Sequence, residues 1–428
     1  MFTTIIHTDI SEKVKAIEID GKKLDIDLKA IWEAIVASSG IDINDITEEN
    51  YEAFSLLEQK FRQEVANKFI EFTKNLTNDS KQSLGFKLAE CFGTDVATED
   101  SGVMTDDKEY EPTAMQSLLY LTTILGYDQQ KYDGMWKTIV EGPEYKDFTP
   151  YYTQYMGIKI AWIRANNNHI FNGIVDYCKS INDESGDGYL KSRFSAYNLC
   201  CILGGPGTGK SSAMGRAIRI MTQLVGGEII MAAKEDEQRT NLKKNVDPSG
   251  NLPVLAARDL LSEIGYKESD VSIKKTNDGS WVEYIPPTDI KSPNFQSDGI
   301  KILMLDEISL FNGPELQALC ASARQHGYTI IGLGDDKQNK AVFIRKNGNN
   351  VEMVSSSIED GIVITTPSLT ISMRAKNNAH YTNCINIDGT LINLVHTYKY
   401  NRASAEGEVA QELVKQGLIS DAVTLFYL

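Results

Sequence analysis

The sequence predicts an α/β domain, a parallel sheet flanked by helices, preceded by a mostly α-helical N-terminal domain. Three observations predict it. From about residue 28 to residue 181 the apolar side chains recur at steps of three and four, the period of a helix face. After residue 195 short apolar runs alternate with helical segments, the pattern of a parallel sheet with crossover helices. Two of those runs, Leu199–Leu203 and Lys301–Leu305, end in a glycine-rich turn and in an acidic pair.

A chain of 428 residues with 42% hydrophobic content can bury more than one core, and its length suggests about two to four domains. No run of about 18 apolar residues is present, and residues 1–20 are too charged for a secretory leader. The expected location is the cytoplasm of a bacterium or phage-infected cell. Six scattered cysteines make no CxxC pair and no zinc spacing, so buried free thiols are expected, and five dispersed histidines suggest no metal cluster. The net charge of −16 is uneven: residues 1–200 hold 20 Lys+Arg against 33 Asp+Glu, and residues 201–428 hold 23 against 26. The second half is near neutral and can carry a local basic groove. The acidic first half disfavours DNA and favours a protein partner.

In chain order, Val14, the Asp20-Gly21 turn, Leu24 and Ile26 predict a hairpin. Ile31, Trp32, Ile35 and Val36 share a helix face, as do Phe54, Leu57, Phe61, Val65 and Phe69. Leu118, Leu119, Thr122, Ile124 and Leu125 suggest another helix. Residues 94–113 read as a loop and 182–192 as a linker. The expected division is therefore 1–185 for the helical domain, 186–365 for the α/β domain and 366–428 for the start of a further one.

Residues 204–211, GGPGTGKS, fit G-x-x-x-x-G-K-[ST] between a strand and an amphipathic helix carrying Met214, Ile218 and Met221. In such a loop Gly205, Pro206, Gly207, Thr208 and Gly209 curl so that backbone N–H groups face phosphate oxygens, and the helix terminus adds positive potential. Lys210 reaches the β- and γ-phosphates, Ser211 ligates Mg2+, and Ser212 completes the cradle. ATP and Mg2+ are the expected cofactors. Asp306 would hold the metal and Glu307 would polarise the attacking water. Tyr328, Thr329, Ile330, Ile331, Gly332 and Leu333 predict the next buried strand, running into GDDKQ, where Gln338 can sense the γ-phosphate.

In this order GGPGTGKSS, LMLDEIS, GLGDDKQ and LTISMR resemble motifs I to IV of the superfamily 1 DNA helicases, closest to the RecD/Pif1/Dda-like branch. IIMAAKEDEQRTNL resembles the strand and helix that touch single-stranded DNA, with Lys234 and Arg239 as contacts, and residues 254–264 resemble the short helix that follows. The resemblance implies a RecA-like P-loop NTPase lobe over roughly residues 196–375, facing a second RecA-like lobe from which Arg374 reaches the γ-phosphate. Two departures stand out. The family's adenine-reading glutamine, shortly before the phosphate loop, is missing; Gln154 lies about 50 residues upstream, too far without a rearrangement. The later motifs are missing too, and 54 residues after Arg374 are too few for a full second lobe, so a truncated, split or degenerate protein is expected.

Between the last of these helices and residue 301, residues 267–299 carry a hairpin signal around Asn277-Asp278-Gly279-Ser280, with Trp281 near Lys274 and Lys275 as a base-stacking candidate. The leading expectation is an ATP-driven single-stranded DNA translocase or helicase. The alternative is an ATP-binding switch protein that docks in a replication or virion complex without unwinding. A third, a loader of the AAA+ kind, is disfavoured because that family carries an Asn or Thr sensor where GDDKQ stands.

Overall fold

The computed structural model describes residues 5–41, 51–92, 118, 121–122, 124–125, 128–145, 150, 152–185, 199–276, 279–335, 341–347, 350–355, 364–365 and 369. The first element is a helix, α1 Thr8–Ala16, with Ile10 and Val14 four apart on its inner side and a Lys13–Asp9 ion pair of 2.7 Å outside. The expected hairpin is therefore shorter than the alternation suggests. It consists of β1 Glu18–Ile19 and β2 Lys22–Lys23, antiparallel, joined by Asp20 and Gly21 at φ 53° and 74°. Helix α2 Leu28–Ser39 starts where the Asp27 carboxylate accepts from Ala30 N. It is followed by α3 Tyr51–Thr73, α4 Asn78–Phe92, α5 Gln129–Glu141, α6 Tyr152–Asn166 and α7 Asn168–Ser185. Residues 118, 121, 122, 124 and 125 are helical and buried, as their pattern predicts. The expected loop at 94–113 and most of the 182–192 linker lie outside the described residues.

The α/β domain follows the predicted alternation. Strand β3 Leu199–Leu203 leads to a helix whose first turn, Lys210–Gly215, is wound as a π-turn and continues as α8 Arg216–Leu224. Then come β4 Glu228–Ala233, α9 Asp236–Val246, β5 Val254–Ala256 and α10 Ala257–Glu263. Residues 254–256, expected to be helical, pair instead in parallel with β4, because their apolar side chains extend the sheet edge. The inserted hairpin is real: β6 Val271–Thr276 pairs with β7 Gly279–Tyr284, Thr276 opposite Gly279. Strand β8 Lys301–Leu305, α11 Gly313–His326 and β9 Thr329–Gly334 follow. A second hairpin, β10 Val342–Asn347 and β11 Asn350–Ser355, was not anticipated, although Asn347-Gly348 is a turn signal between its arms. The last strand is β12 Ile364–Thr365.

Six strands form one sheet in the order β12-β3-β9-β8-β4-β5, every neighbouring pair parallel. Both faces are covered, which is why these strands read as continuous apolar runs. On one face Leu199, Ile230, Leu303 and Ile330 pack with Leu260 and Leu319. On the other, Cys200, Ile202, Met304 and Ile331 share a core with Met214 and Ile218, and also with Tyr132, Ile139, Ile158 and Trp162 of α5 and α6. Helices α5 and α6 thus belong to the sheet, and the expected boundary at residue 185 does not separate two cores. The earlier helices, together with α7, form their own core around Leu28, Phe61, Leu88, Leu121 and Ile174. Helical periodicity reports that a face is buried, not what covers it.

The expected thiol state matches for four cysteines: Cys91, Cys200, Cys201 and Cys320 are free and buried. Among the described residues no helix is long and apolar enough to cross a membrane.

Candidate nucleotide site

Strand β3 is buried from Leu199 to Ile202 between β9 and β12, which holds its carboxyl end before the loop begins, and Gly204 N donates to Gly334 O at 3.1 Å. The loop then turns on itself. Thr208 Oγ1 donates to Gly205 O at 2.8 Å, and Lys210 Nζ donates to Gly204 O and Gly205 O at 2.5 and 3.0 Å. Gly209 has φ 88°, a conformation that disfavours any side chain, and its carbonyl accepts from both Ala213 N and Met214 N, which widens the turn. The Tyr145 hydroxyl, from the segment after α5, donates to Ala213 O in the same turn.

Strand β8 delivers the acidic pair beside this loop. Asp306 is 8% exposed, and Ser211 Oγ donates to its Oδ1 at 3.4 Å. Burial, aided by the neighbouring Glu307, pushes the Asp306 carboxyl up to about 6. Glu307 itself lies in the left-handed region at φ 48° and ψ 55°, uncommon for a residue with a side chain. The strain is held by packing: Ile308 lies so close to β9 that a Cβ on Gly334 would stand 2.5 Å from Ile308 Cγ2. Burial raises the Glu307 carboxyl, Lys210 opposes the rise, and Asp335 at the end of β9 adds to it. Among the described residues, Glu307 Oε2 and Ser309 Oγ are buried without a hydrogen-bond partner. A strained, partly protonatable carboxylate beside a lysine and a phosphate-type loop is the arrangement found where chemistry is done.

Of the other expected site residues, Gln338 and Arg374 lie outside the described residues, as does the side chain of Trp281. Lys234 follows β4 and is held by both Glu315 oxygens at 2.6 and 2.8 Å, over the ring of Phe311 at 5.2 Å. Arg239 pairs with Asp236 within α9. The sequence analysis set Gln154 aside as too far from the loop without a rearrangement, and the structure brings it there. Despite a separation of 54 positions, its Nε2 donates to Thr208 O at 2.8 Å, and it is fully buried. The rearrangement is supplied by α6, which lies under the loop; no local signal marks it.

Residues 192–399 match the family model described as an AAA domain. The segment is therefore similar to P-loop nucleotide-binding domains of the AAA type, and it has an α/β fold with a parallel sheet, behind a mostly helical N-terminal region. Its span takes in the whole described sheet and both hairpins. No curated protein matches the chain.

Proposed function

We propose that this chain is the ATP-binding portion of an ATP-driven single-stranded DNA translocase or helicase that hydrolyses ATP with Mg2+. The observation that carries the reading is the convergence of Lys210, Ser211, Asp306 and Glu307 at the carboxyl ends of β3 and β8. An AAA-type domain alone fits many P-loop ATPases. The ordered series GGPGTGKSS, LMLDEIS, GLGDDKQ and LTISMR favours the helicase-like kind, in which such domains also occur.

The donor set fits Mg2+: a hydroxyl and a carboxylate 3.4 Å apart, the carboxylate destabilised by burial until a cation shares its charge. Ser211 and Asp306 would hold the ion, which would supply Lewis-acid withdrawal of phosphate charge. Lys210 exchanges the Gly204 and Gly205 carbonyls for phosphate oxygens. Glu307 Oε2 takes a proton from water as the water oxygen bonds to the γ-phosphorus and the bond to the ADP bridging oxygen breaks. Gln338 orients that water, and Arg374 neutralises charge on the γ-phosphate. Lys234 and Arg239 reach a DNA phosphate by exchanging Glu315 and Asp236 for it, with Trp281 as a stacking surface. The acidic N-terminal surface is assigned to a protein partner.

The test is phosphate release by the purified chain with Mg-ATP, with and without single-stranded DNA. Hydrolysis stimulated by the strand is expected. Equal rates in both would overturn the translocase reading and leave an ATP-dependent switch.

A further inference from the structure

The phosphate loop is closed from behind by a side chain that belongs to the helical region. Gln154 of α6 is fully buried, and its Nε2 donates to Thr208 O at 2.8 Å. The contact is tight: a Cβ on Gly209 would stand 2.5 Å from the same Nε2, so glycine at 209 admits this amide as well as its positive φ. One helical turn on, Ile158 is fully buried in the core shared with β3 and α8, which fixes α6 against the loop. Tyr145, from the same region, holds Ala213 O in the turn after the loop.

The geometry points to Gln154 as a positioning residue for nucleotide binding, through which the N-terminal helices set the direction of a phosphate-binding N–H. In a trans peptide the carbonyl and the following N–H point to opposite sides of one rigid plane. Holding Thr208 O toward α6 therefore directs the Gly209 N–H away from α6, to the side on which a loop of this kind cradles phosphate. The donor is in position before nucleotide arrives, so binding does not have to reorient it. The inference rests on the nucleotide reading above and adds a residue, and a region of the chain, to that site.

The test compares the full chain with Gln154→Met and Gln154→Glu. The first keeps length and loses the donor; the second keeps shape but sets an acceptor against a carbonyl. Mg-ATP affinity by calorimetry should fall about threefold to tenfold for Gln154→Met, the worth of one hydrogen bond, and further for Gln154→Glu. In steady state the KM for ATP should rise while kcat holds, since the cradle grips ground state and transition state alike; a chain that merely folds poorly would lose kcat instead. Hydrogen exchange of residues 205–210 in the nucleotide-free variants should be faster than in the wild type. Wild-type affinity in both variants, beside a Lys210→Ala control that has lost binding, overturns the inference. If the wild type itself binds no ATP, the nucleotide reading fails, and exchange alone decides: unchanged protection overturns the brace and faster exchange supports it. Should Gln154→Glu not fold, Gln154→Met carries the same comparison.

Discussion

The N-terminal helices share one sequence texture and end in two different cores. Helices α1 to α4, with residues 118–125 and the first turns of α7, bury Leu28, Phe61, Leu88, Leu121 and Ile174 against one another. Helices α5 and α6 instead spend Tyr132, Ile139, Ile158 and Trp162 on the face of the sheet that also buries Met214 and Ile218 beneath the phosphate loop. Amphipathic periodicity is the same in both, because a buried face looks alike whatever covers it. Two helices of like sequence texture can thus differ in whether they share a core with the loop, and here α5 and α6 do. Glu144 adds to that packing by pairing with Arg219 of α8, while α7, which sits mainly in the first core, also reaches the sheet, Asn168 Nδ2 donating to Tyr328 O at 3.1 Å just before β9.

The largest expected effect marks the chemical end of the comparison. Glu307→Gln should lower phosphate release by about 10²–10⁴ while Mg-ATP affinity stays near wild type, since Asp306 and Lys210 are untouched. A rate within a factor of about two, far below a general-base contribution, would remove Glu307 from that role. Next comes a matched pair of buried truncations, both at fully buried positions. Leu88→Ala and Ile158→Ala should each cost about 2–5 kcal/mol in denaturant unfolding. Only Ile158→Ala should weaken ATP, because Ile158 seats the helix that carries Gln154. Equal affinities in the two variants would erase the distinction between the halves. The smallest effect is at the crossing of α4 and α7, where a Cβ on Gly173 would collide with Gln82 O and one on Gly85 with Ile170 O. Gly173→Ala should cost about 1–3 kcal/mol of stability, as overpacking does, with nucleotide affinity preserved. Weaker binding in that variant would extend the coupled region into the first core.

What the amino-acid order determined by itself is local. The βα alternation, the glycine-rich turn after Leu199–Leu203, the acidic pair after Lys301–Leu305 and the hairpin at Val271–Tyr284 were all legible, because each is a signal carried within a few residues. The ends of parallel strands gather at one edge of a sheet, so the motifs also implied that Lys210, Ser211, Asp306 and Glu307 meet. Tertiary structure alone decided three things. It assigned α5 and α6 to the sheet, since complementarity between apolar faces has no signature in either face. It bent Glu307 into the left-handed region, because Ile308 must fit beside Gly332 and Gly334 of a strand some 25 positions later in the chain. And it carried Gln154 across 54 positions to Thr208, since a single hydrogen bond between distant segments leaves no periodicity, spacing or composition to read.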